Sequence, residues 1–282
     1  MTKFLRQKRI IMSIVIILSL ALSVYRVLVI QNNIDVSPTA EDANYYLKDS
    51  DETVAFAVMT AVALVLFSCC AFFLRKKMSN KIEAAEPSVI FTSSLSGFLI
   101  VGCIFYYFFY FASDVTQINF FITAIIITAL ISSVYFLLNA SGKAQSRSKA
   151  IAWFSVGPIA CYALRLLNEF MKRGTSHYPS SSVYLLLSII AFMLFFLAEG
   201  KYKSGNGSVI TYMLFGFLSI QLALTYSLPT LYLSAFWVFP TNSEMLYSAV
   251  DLTVAMYIAS RLFQLKCAEC ESTADGIPAE QS

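Results

Sequence analysis

The residues of this sequence with the most chemical potential are four ionisable side chains inside apolar stretches: Arg26, Arg165, Glu169 and Asp251. An ionisable group at bilayer depth is costly, so each must find a partner, an aqueous cavity or a function. Counting at 1.5 Å per helical residue, Arg165 and Asp251 both fall roughly 8–9 Å below the outer surface of a ~30 Å hydrocarbon core, and Arg26 reaches about the same level. Arg165 is therefore expected to pair with Asp251 across two helices, or with Glu169 four residues along its own helix.

Cys161, Tyr162, Arg165, Asn168, Glu169 and Lys172 share one stripe at spacings of three and four, a polar face that must turn toward other helices. Below it, Gly157-Pro158 marks a candidate hinge, because proline removes a backbone hydrogen bond and frees a carbonyl one turn earlier. Ser155 is placed to meet part of that need. Arg26, Arg165, Asn168, Glu169 and Asp251 are thus the candidate ligand-binding set, with a structural ion pair as the competing reading. Tyr106, Tyr107, Tyr110, Tyr184, Tyr226, Tyr232 and Tyr247 approach the same level. They fit an interfacial aromatic belt, with a cation cage as the alternative.

Other chemistry is missing. No nucleotide-binding loop, hydrolase elbow or zinc-protease motif occurs in a meaningful context, so no enzyme and no cofactor are expected. His177 is the one histidine and falls in a short loop, which argues against a metal site. Cys267 and Cys270 form a lone C-x-x-C, supplying two ligands where zinc takes four. Cys69, Cys70, Cys103 and Cys161 lie in apolar runs, so no disulfide framework is expected.

The elements that must hold these residues follow from composition. The chain has 282 residues, 58% apolar and 13% charged, against about 25% charged in a soluble domain. Its charges cluster between apolar runs that are each near the ~20 residues needed to cross a bilayer. The expected fold is all-α, a polytopic membrane bundle of eight transmembrane helices over about 10–30, 53–74, 88–112, 117–139, 150–171, 183–199, 208–228 and 245–265. Ala21-Leu22-Ser23 also fits a signal cleavage site, the alternative being seven helices after removal of the first.

Orientation follows from Lys and Arg. With the N-terminus inside, Lys3, Arg6, Lys8, Arg9, Arg75, Lys76, Lys77, Lys81, Lys143, Arg147, Lys149, Lys201, Lys203 and Lys266 face the cytoplasm, against Lys48, Lys172 and Arg173 outside. Both termini are then cytoplasmic, and the short loops fit a bacterial cytoplasmic membrane. Net charge of +3 is too small and dispersed to indicate a nucleic-acid partner. The first outer loop is acidic, the aromatic run after Pro229 reads as an interfacial segment too short to cross, and 266–282 reads as a flexible tail.

Landmarks recur in order between the two halves. Ser88-Val89-Ile90 with Gly97-Phe98-Leu99 answers Ser208-Val209-Ile210 with Gly216-Phe217-Leu218, and Arg26 answers Arg165. The expectation is two parallel four-helix repeats, 1–145 and 146–265, followed by the tail. Together these features point to a small-solute transporter or solute-binding membrane component. The alternative is a non-transporting subunit, sensor or assembly factor with a membrane or cytosolic protein partner. Either has the lipid bilayer as its surroundings.

Overall fold

Apolar runs of this length leave the backbone one way to satisfy its own polar groups away from water, the helix. The computed structural model describes residues 3–35, 46–47, 51–75, 78, 86–111, 120–141, 149–172, 180–236 and 242–265. They form α1 (Lys3–Asn33), α2 (Asp51–Leu74), α3 (Pro87–Phe111), α4 (Phe120–Ala140), α5 (Lys149–Phe154), α6 (Val156–Lys172), α7 (Ser180–Lys203), α8 (Val209–Phe236) and α9 (Asn242–Gln264). One two-residue ladder, β1 (Ile34–Asp35) against β2 (Tyr46–Leu47), is antiparallel. His177, Cys267, Cys270, the rest of the acidic loop and the tail fall outside the described residues.

Helix ends have local causes. Proline opens α3, where a missing N–H costs nothing, and the Glu86 carbonyl accepts from Val89 and Ile90. Gly205, at φ 85°, closes α7: its N–H donates to the Tyr202 carbonyl and that of Asn206 to Lys201, so α8 folds straight back on α7.

Among the described residues, six helical segments are long and apolar enough to cross a membrane: Gln7–Asn32, Asp51–Leu74, Pro87–Phe109, Phe120–Ala140, Val183–Lys203 and Val209–Phe236. Large apolar side chains face outward, with Phe109 85% and Phe120 80% exposed. Such surfaces belong in lipid, and the chain is a multi-pass helical membrane protein. α6 and α9 carry more polar residues and stand outside that set.

The helices α8, α7, α6, α4, α3 and α9 pack each on the next, and α9 returns to α8, closing a ring; α1 and α2 pack on α8 and on each other. Phe136, Phe192, Phe196, Tyr162, Tyr257 and Met213 are buried in the core. Their rings stack or meet edge to face, Tyr162 on Phe192 at 4.9 Å and Phe136 on Tyr257 at 5.2 Å.

Three of the expected helices differ in the structure. α8 does not stop near Pro229 but continues to Phe236, so the aromatic run through Phe236 is helix. α7 also runs past 199 and carries Lys201 and Lys203 in its last turn. The expected fifth helix is broken at Ser155 into α5 and α6. Ser155 Oγ donates to the Ala152 carbonyl at 2.6 Å, two residues before Phe154, whose carbonyl is the one that Pro158 leaves free.

Candidate functional site

Arg165 from α6 and Asp251 from α9 meet in the bundle. Arg165 Nη1 donates to both carboxylate oxygens, 2.8 Å each, and the Tyr162 hydroxyl donates to Asp251 Oδ1 at 3.0 Å. Arg165 is 4% exposed and Asp251 0%. The Tyr247 ring lies 4.4 Å from the guanidinium carbon, a cation–π contact. Arg165 Nε is buried without a hydrogen-bond partner.

This pair borders a cavity of about 100 Å³ between α3, α4, α6 and α9. Ile100, Ile104, Ile122, Ile125, Ile126, Ala129, Val250 and Val254 make its walls mainly apolar, with Tyr107, Cys103, Cys161 and Ser132 among them. Helix α6 reaches the cavity because of its close crossing with α4. A Cβ on Gly157 would stand 2.8 Å from an Ile131 methyl and 3.2 Å from its backbone carbon, so only glycine fits. Pro158, next in sequence, lines the cavity itself.

The remaining sequence candidates separate from the pair. Glu169 is buried one turn further along α6, and Asn168 is half-buried; neither lines the cavity. Arg26 serves a different element. Its Nη1 donates to the Thr225 carbonyl at 2.7 Å, and its guanidinium lies 4.3 Å from the Tyr184 ring and 5.9 Å from Tyr226. Thr225 is four residues before Pro229, so Arg26 takes up the carbonyl that the proline leaves without its helical donor. Tyr184, Tyr226 and Tyr247 therefore surround the chain's own arginines.

A second buried polar cluster was not foreseen from the sequence. Glu199 Oε1 accepts from Tyr257 at 2.7 Å and pairs with Lys203 at 2.9 Å and Arg261 at 3.4 Å. Lys203 also donates to Tyr135 and Asn139, and Arg261 Nη2 to Asn139 at 2.8 Å. The cluster ties α4, α7 and α9 together about 15 Å along α9 from Asp251. The Glu199 and Lys203 spacing of four was the available signal; ending the helix at 199 moved Lys203 into a loop and hid it. Among the described residues no group of three or more His, Cys, Asp or Glu is placed to hold a metal.

No family model, curated protein or solved structure matches the chain.

Proposed function

We propose that this chain crosses the membrane eight times and takes a small solute into the cavity between α3, α4, α6 and α9, acting as a transporter or solute-binding membrane component rather than an enzyme. The observation that carries this reading is the Arg165–Asp251 pair at the wall of an otherwise apolar cavity. Ligand sites have this make-up, a mainly apolar concavity with few placed polar groups.

The two extra crossings are α5–α6 and α9. Six residues of α5, Ser155 and seventeen of α6 make a segment about 36 Å long, and the 23 residues of α9 make about 34 Å. Both exceed a ~30 Å core. Lys8, near the start of α1, donates to the carbonyls of Phe263 at 2.7 Å and of Leu265 at the end of α9. The beginning of α1 and the end of α9 thus share one end of the bundle, as an even number of crossings requires. The basic residues of that end orient it toward the cytoplasm, in keeping with a bacterial cytoplasmic membrane, and leave the Arg165–Asp251 pair in the outer half.

A second reading has its own support: Asp251 is fully enclosed, and the Glu199 cluster is a fastening between helices. The protein would then be a membrane subunit, sensor or assembly factor acting through a protein partner. Thermal unfolding of the purified protein against a panel of small solutes separates the two. The ligand reading predicts a solute that raises the Tm of wild type but not of Arg165→Ala or Asp251→Asn, with those variants still folded. Absence of any stabilising solute, with both variants unfolding at much lower temperature, would favour the partner reading.

A further inference from the structure

The character of the cavity narrows what it can hold, and this step rests on the ligand-binding reading above. The guanidinium of Arg165 is already neutralised by Asp251, yet Asp251 engages it through Nη1 alone, leaving Nε buried and without an acceptor. A buried N–H donor without a partner carries an unmet desolvation cost, so an oxygen that can accept gains by meeting it. The walls around it are aliphatic and aromatic, from Leu246 to Val254 along about 12 Å of α9.

An anion seated here would add an uncompensated charge beside the Asp251 carboxylate, and a cation would meet the Arg165 guanidinium. Either would be enclosed by apolar side chains, where an unpaired charge is unfavourable. We infer that the cavity between α3, α4, α6 and α9 takes an uncharged, lipid-soluble molecule that presents a carbonyl oxygen to Arg165 and lays its apolar body along the walls. The ion pair then acts as a neutral polar anchor, with Asp251 and Tyr162 holding the guanidinium in place.

Four five-carbon compounds with different head groups test this: 2-pentanone, pentanoate, pentylamine and pentane, added at equal concentration to the purified protein during thermal unfolding. Ala129→Phe fills the cavity without touching the charges, and Ala129→Leu does so more mildly should the larger side chain prevent folding. The expected result is a rise in Tm of about 2 °C or more with 2-pentanone on wild type, absent in the Ala129 variant, and smaller shifts with the other three. A larger shift with pentanoate or pentylamine that Ala129→Phe abolishes would overturn the uncharged class while leaving the cavity a binding site. Equal shifts in wild type and the Ala129 variant for every compound would overturn both.

Discussion

At the scale of single residues, the arginines divide the labour. Arg165 faces a carboxylate at a cavity wall, whereas Arg26 caps the backbone carbonyl freed by Pro229 and lies against aromatic rings. Removing Arg26 leaves that carbonyl unmet in a place without water, a loss of about 1–3 kcal/mol. Arg26→Ala is therefore expected to lower the Tm while leaving any solute-induced stabilisation intact; an unchanged Tm, or lost solute response, would contradict this assignment. Position along the helix axes was legible in the sequence, and it placed Arg165 level with Asp251, which it meets. The rotation of each helix was not, since a count of residues says how far a side chain lies along an axis and nothing of which neighbour it meets. Hence Arg26 of α1, at the same expected level, proves to meet the Thr225 carbonyl of α8 and not the Arg165–Asp251 pair.

At the scale of elements, the existence and approximate limits of the apolar helices could be read from hydropathy alone, and the disturbance near Gly157-Pro158 from the N–H that proline lacks. Where polar groups compensate one another, hydropathy misplaces the ends. α8 continues through Pro229 because Arg26 supplies a donor from another helix, and α7 extends to Lys203 because Glu199, Tyr135 and Asn139 receive its ammonium. On the proposed eight-crossing topology, the same compensation lets α9 cross despite its polar residues: Asp251 and Arg261 are both satisfied within the bundle. In a chain freed of its native thiols except Cys267 and Cys270, a membrane-impermeant maleimide should label the tail only in inverted vesicles. With all native thiols removed, the same reagent should label Thr241→Cys only from the outer face. Labelling of both positions from one face would show that α9 does not cross.

At the scale of the whole molecule, the six-helix ring has a polar layer at the level of Asp251, a second around Glu199, and aromatic rings between them. The order of helices matches the sequence expectation of an all-α bundle. The expected likeness of the two halves is not visible in the packing: α8 touches α1, α2, α7 and α9, whereas α3, its counterpart by motif, packs chiefly on α4 and α9. Short matches between apolar segments report helix-packing chemistry, such as Gly216 against Leu262 and Gly97 against Leu137, as readily as common descent.

The most direct measurement on the role of the Arg165–Asp251 pair is to replace both partners at once by apolar residues of similar size, Arg165→Met with Asp251→Leu. Exchanging a complete buried ion pair for apolar side chains is often neutral or stabilising, because no lone charge remains. If the pair serves ligand binding, the double variant will unfold at or above the wild-type Tm and will have lost stabilisation by every solute that stabilises wild type. A double variant that keeps the solute response would contradict the assignment, and so would one that unfolds far below wild type, since the pair would then hold the bundle together.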